Sequence, residues 1–318
     1  MQRGRSGESI PSDTEQIRNE RKTAMNSLKR FCCTILALLA ALVLTTNTLA
    51  GHGEKRAAKQ AILLTAFGTS VPQAQKAFDK IEAQARTTFP NTEIRWAFTS
   101  KIIRAKLAKQ GKHLDSPEEA LAKLMADHFT HVAVLSLQTI PGVEFHQLVQ
   151  NASLFGQMSG GIEKIIVARP LLSSGKDMET VADVLLKNIP ERKADDAVIF
   201  MGHGTEHHPS DAIYLAMNSI FQQKDPKAYV ATVEGMLTVQ DIIPKLKEQK
   251  VGKIYLVPLM LVAGDHAMND MAGDEPESWK SILTKNGFVC EPVMKGTAEY
   301  PQIVDLWLDH LKTAMAHF

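Results

Sequence analysis

The sequence predicts an α/β protein of two similar domains, each a parallel sheet flanked by helices, with a cleft between them. Strand-like apolar runs alternate with helix-period segments, which is the pattern of a parallel sheet covered by helices on both faces. The chain also repeats itself: AILLTAFGTS (61–70) resembles AVIFMGHGTE (197–206), and HVAVLSLQTIPG (131–142) resembles KIYLVPLMLVAG (253–264). Finally, 44% hydrophobic and 22% charged residues in a chain of 318 are typical of a globular protein.

The first half, residues 51–180, contains strand-like and helix-like segments in alternation. An apolar run at 61–67 is typical of a buried strand and ends in Gly-Thr-Ser, and a helix-period stretch follows at 71–88. Ser116 and Glu119 have the spacing of a capping box, which predicts the start of a helix. The other segments of this half are 93–98, 101–109 and a strand at 131–139.

The second half, residues 181–318, repeats that order. The strand 197–201 runs into Gly-His-Gly, and a helix is predicted from about Ser210. Ligands of open α/β sheets bind outside the carboxyl ends of the strands. Two such domains therefore predict a cleft where their strand ends face each other. The other predicted segments are a strand at 229–233, a helix at 239–250 and a strand at 253–262.

The first 50 residues have the organisation of a secretory signal. A basic run at 25–30 precedes an apolar run at 31–44 and a small-x-small site at 48–50. A membrane anchor is the alternative, but a span needs about 20 apolar residues. We therefore predict a signal peptide cleaved after Ala50, no membrane anchor after cleavage, and a periplasmic protein. The start is expected at Met25, with Met1 as the alternative.

Charge and cysteine content exclude several classes of protein. The 36 basic and 35 acidic residues give a formal charge of +1, which argues against general nucleic-acid binding because that requires a basic surface. Aromatic residues, at 6%, are too sparse for a platform on which single-stranded bases stack. Three cysteines cannot form a disulfide framework, and signal cleavage would leave Cys290 as the only thiol.

Metal-binding residue types follow three apolar runs of the second half. His203 lies in Gly-His-Gly after the first run, Glu234 precedes a glycine after the second, and His266 follows Ala-Gly-Asp after the third. Because these runs end at one edge of a sheet, the three side chains can converge on one ion. Imidazole and carboxylate ligands suit divalent cobalt, nickel, iron and zinc. Taken alone, His203 could instead be a turn residue between two glycines that binds no ligand. His207 and His208 are expected to open the next helix at the mouth of the cleft.

Several motifs carry a resemblance to a known family. They are PLMLVAGDHAMNDMAGD at 258–274, GHG at 202–204, VEG at 233–235, FGTS at 67–70, AFTS at 97–100, PLLSS at 170–174 and ESW at 277–279. Together they resemble the class II chelatases of anaerobic cobalamin biosynthesis, the sirohydrochlorin cobaltochelatases. The resemblance implies two Rossmann-like, chelatase-type domains with a pseudo-twofold relation. It also implies that the protein inserts Co²⁺, with Fe²⁺ as a further metal, into sirohydrochlorin. His203, Glu234 and His266 would then be the metal-binding and catalytic residues.

The predicted export resembles the branch of this family found in sulfate-reducing bacteria, which implies a homo-oligomer, a tetramer, with a b-type haem between subunits. His146 is then either an axial haem ligand or a surface histidine that opens a helix. Counting from Gly142 and Gly264 places Glu144, rather than His146, opposite His266. We therefore expect His146 to face away from the cleft. The sequence contains no C-x-x-C-H, so any haem is non-covalent.

The residue chemistry agrees with metal insertion. Histidine changes charge near neutrality, so it can bind an ion and accept a pyrrole proton. The partners expected are sirohydrochlorin and a divalent metal ion, and the rim residues that could donate to the substrate carboxylates are Thr69, Ser70, Ser100, Lys101 and Arg104. The main alternative is a periplasmic carrier of a tetrapyrrole such as haem, or of a metal, and a periplasmic solute-binding protein is a third hypothesis. The remaining histidines are expected at the surface: His113, His128, His131, His310 and His317.

Overall fold

The computed structural model describes residues 56–318, together with Met25, and Ala57–Phe318 form one compact unit. The predicted signal peptide and its cleavage site fall outside this range. Within the described part of the chain, no helix is both long and apolar enough to cross a bilayer.

The first half of the unit contains four strands and five helices among the described residues. In chain order they are β1 (Gln60–Ala66), α1 (Pro72–Thr88), β2 (Glu93–Phe98), α2 (Lys101–Ala108), α3 (Pro117–Ala126), β3 (His131–Ser136), α4 (Val143–Phe155), β4 (Lys164–Ala168) and α5 (Gly175–Lys187).

The second half contains a further four strands and four helices in the described range. They are β5 (Ala197–Gly202), α6 (Ala212–Lys224), β6 (Ala228–Thr232), α7 (Val239–Glu248), β7 (Lys253–Pro258), α8 (Trp279–Lys285), β8 (Val289–Pro292) and α9 (Pro301–Met315). The 3₁₀ turns Pro209–Asp211 and Thr297–Glu299 and the π-helical turn Ala267–Met271 complete it.

The strands form two four-stranded sheets of the same topology. Their orders are β2-β1-β3-β4 and β6-β5-β7-β8, and every neighbouring pair is parallel. The predicted fold class, two similar α/β halves with parallel sheets, is confirmed. Because the first strand of each half is central, it is covered on both sides and forms a continuous apolar run rather than an alternating one.

The two halves share a hydrophobic core. One cluster of buried side chains joins Leu64 and Leu135 of the first sheet to Phe200 and Val257 of the second. The sheets are therefore packed into one body.

The predicted capping box starts α3. The Glu119 N–H donates to the Ser116 hydroxyl at 3.2 Å, and the Ser116 N–H donates to the Glu119 carboxylate at 2.6 Å. The backbone hydrogen bond from Ser116 is the main cause that holds the pKa of Glu119 below its usual value. The cap predicted from spacing alone is thus present.

The strand predicted at 253–262 ends earlier, at Pro258. The carbonyls of Met260 and Leu261 accept hydrogen bonds from the N–H groups of Thr297 and Ala298, at 2.8 and 3.0 Å. These contacts take the chain out of the sheet although the apolar run continues, so local apolarity overestimated the length of the strand.

His310 corrects another prediction, because it is buried rather than at the surface. It is 4% exposed on α9, its Nδ1 lies 3.1 Å from the Arg169 carbonyl, and its Nε2 lies 3.3 Å from a carboxylate oxygen of buried Asp177. The helix α9 crosses to the first sheet and contacts β3 and β4. His310 follows Trp307 by three residues and so lies on the buried stripe of α9, a period that the sequence already contains.

Candidate metal centre

The carboxyl ends of β5 and β6 carry two of the predicted metal-binding residues. His203 follows β5 directly, and Glu234 lies two residues beyond β6. The Glu234 N–H donates to the His203 carbonyl at 2.7 Å, and the Val233 N–H donates to the Gly202 carbonyl at 3.1 Å. The two loops are therefore joined by backbone hydrogen bonds.

His266 comes from the loop after β7, and its ring meets the ring of His203. The ring centroids are 4.7 Å apart and the planes are nearly perpendicular, at 88°. His203 is exposed, and the side chain of His266 is 37% exposed. Both imidazoles can therefore be reached by a ligand.

Each ring of this pair has its Nδ1 atom engaged. Nδ1 of His203 lies 3.0 Å from the Gly204 carbonyl oxygen, and Nδ1 of His266 lies 2.5 Å from Oδ2 of Asp270. A carbonyl or carboxylate oxygen only accepts, so in the neutral ring Nδ1 carries the proton and Nε2 keeps its lone pair. Contacts of this kind fix the tautomer and orientation of metal-binding histidines. The two Nε2 atoms are therefore suited to bind an ion.

Asp270 was not among the predicted site residues. It lies four residues after His266, and the π-helical turn Ala267–Met271 places its carboxylate on the ring. Such turns are frequent at functional sites. The His-x-x-x-Asp spacing in the motif at 258–274 is the sequence signal that could have identified it.

Glu234 is held by its backbone, while its side chain is exposed. Within residues 56–318, no three His, Cys, Asp or Glu side chains are arranged so that they could hold a metal ion. The structure thus brings His203 and His266 together, with Glu234 in the adjoining loop.

Two glycines permit the close approach of these loops. Gly204 has a φ of +81°, and a Cβ there would press against the Glu234 carbonyl. A Cβ at Gly202 would overlap the ring of Tyr214, which is buried beneath the His203 loop. Burial raises the pKa of the Tyr214 hydroxyl, and its hydrogen bonds to the backbones of Gly204 and His203 oppose that rise. Tyr214 therefore supports the loop from inside.

The first half meets the metal pair through its own strand-end loop. A Cβ built on Gly264, two residues before His266, would lie 3.4 Å from Oγ1 of Thr69. Thr69 is buried, and its hydroxyl accepts a hydrogen bond from the Val71 N–H at 3.1 Å. The FGTS motif of the first half therefore lies beside the loop that carries His266.

Large apolar side chains are exposed along the same strand-end edge. Each belongs to a loop or a first helical turn that follows a strand. They are Phe67, Ile102, Val143, Met236 and Met268. Several exposed apolar groups at one edge are typical of a binding surface.

A basic cavity lies in the segment between β2 and α3. Residues 101–113 contain five Lys and Arg residues and no Asp or Glu. A cavity of about 400 Å³ is lined by five residues of this segment together with two that follow it, namely Lys101, Arg104, Ala105, Ala108, His113, Leu114 and Glu119. Nε of Arg104 is buried without a hydrogen-bond partner, and Nη1 of Arg104 lies 3.6 Å from Oε2 of Glu119. The Nε–H is therefore a donor without an acceptor.

His146 lies in the first turn of α4, and its Nδ1 is 2.8 Å from the Gly142 carbonyl. Its ring meets that of His208 in the second half, with centroids 5.2 Å apart. The expectation that His146 faces away from the cleft is therefore wrong: α4 begins at the edge where the halves meet, so a two-residue offset still reaches across. As predicted, His208 opens the next helical segment, and its Nδ1 accepts a hydrogen bond from the Ser210 N–H at 3.2 Å.

A family model described as cobalt chelatase (CbiK) matches residues 60–316. The chain belongs to this family. It is 43% identical over 259 residues to the sirohydrochlorin cobaltochelatase CbiKC of Nitratidesulfovibrio vulgaris, a match that covers 81% of this chain and 91% of that protein. It is 34% identical over 259 residues to the sirohydrochlorin cobaltochelatase of Salmonella typhimurium, covering 81% of this chain and 97% of that protein.

Solved structures of chelatases share the fold of this cobalt chelatase. SirB from Bacillus subtilis with Fe³⁺ superposes with a TM-score of 0.57 at 15% identity, over 80% of this chain and 95% of that one. The sirohydrochlorin chelatase SirB from Bacillus subtilis subspecies spizizenii, in complex with cobalt, has a TM-score of 0.51 at 15% identity, over 81% and 96%. The chelatase fold and the enzyme class predicted from the sequence are confirmed.

Proposed function

We propose that this cobalt chelatase inserts Co²⁺ into sirohydrochlorin at the His203–His266 pair. The observation that carries the proposal is the pair itself, two exposed imidazoles from separate strand ends whose Nδ1 atoms are engaged and whose Nε2 atoms are available. Both relatives described above are sirohydrochlorin cobaltochelatases, which supports the same metal and substrate. Fe²⁺ suits the same nitrogen and oxygen donors.

The reaction exchanges one divalent cation for two pyrrole N–H protons. The ion gives up water for the two imidazoles and is then transferred to the ring nitrogens as the protons leave. Glu234, in the adjoining loop, supplies a negative charge that offsets the ion and an acceptor that can carry protons to solvent. Its exposed side chain can do either because it has freedom to turn toward the ion.

The exposed apolar side chains along the strand ends would contact the flat faces of the macrocycle. A tetrapyrrole with carboxylate arms also needs cationic or N–H donors at its perimeter. The basic cavity lies at the same edge, since the Phe98 N–H donates to the Asp115 carbonyl at 2.8 Å and the Ser100 N–H donates to the Phe67 carbonyl at 3.2 Å. We assign the guanidinium of Arg104, whose side chain is 19% exposed, with Lys101 in the same cavity, to one substrate carboxylate.

A carrier of a tetrapyrrole or a metal would use the same cleft without turnover. Purified chain should be mixed with sirohydrochlorin and Co²⁺ while the absorbance of the macrocycle is followed. Catalytic turnover supports the chelatase, whereas binding of sirohydrochlorin without a further absorbance change would identify a carrier.

Removal of either histidine should abolish this activity. His203→Ala and His266→Ala should each lower kcat/KM for cobalt insertion by at least about 100-fold, because one remaining imidazole cannot strip and present the ion. His317→Ala, at an exposed position of the carboxyl terminus, is the control and should leave activity unchanged. Near-normal turnover of both pair variants would mean that the metal binds elsewhere.

We further propose that His146 is an axial ligand of a non-covalent b-type haem held between two copies of the chain. The residues fit such a group: His146 is exposed, its Nδ1 faces a carbonyl so that Nε2 can ligate iron, and Val143 and Val149 on the same helix face are exposed. When bound, the haem would supply a redox-active iron. The chain itself would hold it and form a homo-oligomer, a tetramer, around it.

The haem assignment is tested by spectroscopy and by mass. Protein expressed with ample haem should have a Soret band that acid-acetone removes, and His146→Ala should lose the band and form smaller oligomers. A wild-type chain that never acquires haem under these conditions refutes the ligand role.

We also propose that the chain is exported to the periplasm, from the signal-like organisation of residues 25–50. Amino-terminal sequencing of native protein should begin at Gly51. A native protein that begins at Met1 would contradict both the export and the predicted start.

A further inference from the structure

We propose that Asp211 is a positioning residue for the metal site, which holds the loops of His203 and Glu234 together and sets a buried negative charge between them. This inference rests on the proposed function. Asp211 lies outside the three strand-end motifs, in the turn that precedes α6.

The carboxylate of Asp211 binds both loops at once. Oδ1 accepts a hydrogen bond from the Thr205 N–H at 3.0 Å, and Oδ2 accepts one from the Met236 N–H at 2.8 Å. Thr205 lies two residues after His203, and Met236 lies two residues after Glu234. One side chain therefore fixes the exits of both loops, whose entrances are joined by backbone hydrogen bonds.

This use of the side chain departs from what its position predicts. Asp211 occupies the N-cap of α6, where aspartate commonly accepts a hydrogen bond from the first helical turn. It makes no such bond, and its backbone is already helical because the turn Pro209–Asp211 leads into the helix. The carboxylate is thus directed to the loops rather than to its own helix.

Gly235 is shaped to this carboxylate. A Cβ at this position would lie against both oxygens of Asp211 and against Oγ1 of Thr232. Gly235 is not among the glycines of positive φ within the described residues, so backbone conformation does not require glycine here. Glycine is required here by the space that the Asp211 carboxylate and the Thr232 hydroxyl occupy.

The charge of Asp211 has no cationic partner among the described residues. The residue is 3% exposed, and within residues 56–318 no Lys, Arg or His nitrogen lies at ion-pair distance from it. Burying a carboxylate without a cation is costly, although hydrogen bonds from backbone N–H groups offset part of that cost. A divalent ion beside His203 would experience this charge through a medium of low dielectric constant. The geometry therefore gives Asp211 two roles, to fix the loops and to favour the cation.

The test is Asp211→Asn, which keeps the size of the side chain and removes its charge. We expect the Kd for Co²⁺, measured by calorimetry without sirohydrochlorin, to rise about tenfold, the loss expected for one charge-assisted hydrogen bond. The KM for Co²⁺ should rise in parallel, while the KM for sirohydrochlorin should stay within about twofold. The visible spectrum of bound Co²⁺ should also change, because loop position alters the ligand geometry.

Asp196→Asn is the matched control. Asp196 is also a buried carboxylate, 6% exposed, that accepts a hydrogen bond from the Lys193 N–H, but it precedes β5 at the opposite end of that strand. It should lower the melting temperature without changing the Co²⁺ spectrum or Kd. If folded Asp211→Asn binds Co²⁺ as the wild type does, or shifts no more than the control, the inference is wrong.

A second variant covers the case in which Asp211→Asn does not fold. Gly235→Ala keeps the charge and crowds the carboxylate, and it should also weaken Co²⁺ binding. Unchanged Co²⁺ binding in Gly235→Ala would overturn the inference. Failure of the proposed function can be distinguished from failure of this inference, because the wild-type chain itself would then not insert Co²⁺ into sirohydrochlorin.

Discussion

At the scale of single residues, the orientation of the metal pair depends on what each Nδ1 atom touches. His203 uses a backbone carbonyl, which no substitution of a side chain removes, whereas His266 uses the carboxylate of Asp270. Only the second contact can be tested by mutation. The two histidines are therefore fixed by different means and should respond differently to changes around them.

Asp270→Asn should lower kcat/KM for cobalt insertion by about 10- to 100-fold, the usual effect of losing an outer contact of a metal-binding histidine. An amide can donate as well as accept, so the tautomer and orientation of the His266 ring are no longer specified. Asp274→Asn is the control, since Asp274 is fully solvent-accessible and pairs with Lys280 in the same segment. Equal activity of the two variants would show that the Asp270 contact does not matter for the reaction.

At the scale of elements, the site is made by loops that leave buried parallel strands at one edge. β5 and β7 are central in their sheet and β6, at its edge, is buried along its whole length, so the loop residues start from fixed points. Gly204 allows the first loop to turn back against the second, in a conformation that a residue with a side chain rarely adopts.

Gly204→Ala should abolish most activity, whereas Gly111→Ala should not. Both glycines have positive φ, +81° and +79°, so each substitution costs about 1 kcal/mol of backbone strain. A Cβ at Gly111 meets nothing within 4 Å, but one at Gly204 meets the Glu234 backbone and must separate the loops. Thermal unfolding of both variants measures the backbone strain that they share. Cobalt insertion measures the displacement of the loops, which we expect in Gly204→Ala alone. Comparable activities would contradict the role assigned to loop contact.

At the scale of the whole molecule, the two halves are bound together by a common core and by α9. That helix belongs to the carboxyl-terminal part of the sequence but covers the first sheet, where His310 contacts Asp177 of α5. The buried pair therefore ties the end of the chain to the half that does not carry the metal histidines.

His310→Ala should lower the free energy of unfolding by about 3 kcal/mol, because it empties a buried position and removes the imidazole beside the buried Asp177 carboxylate, which keeps the Ser173 hydroxyl at 3.3 Å. Since the halves share one core, we expect a single unfolding transition that shifts as a whole. Denaturant unfolding followed by circular dichroism would measure this. The exposed His317→Ala serves as the comparison, and two separate transitions would contradict the shared core.

The amino-acid sequence by itself determined the α/β class, the repeat of the two halves, the cap at Ser116 and the position of His203 and Glu234 just after buried strands, but not the end of the strand before His266. These features depend on hydrophobic period, on hydrogen bonds between near neighbours and on the rule that parallel strands end together. Each is written in a short stretch of chain, so no knowledge of distant contacts is needed to find it.

Only the tertiary structure decided which of these side chains meet. It placed His203 against His266 and His146 against His208, buried His310 on a helix that packs on the first sheet, and turned Asp211 from its own helix to two loops. The physical reason is that such contacts join residues far apart in the chain. Their formation depends on how whole elements pack, and a one-dimensional pattern does not contain that information.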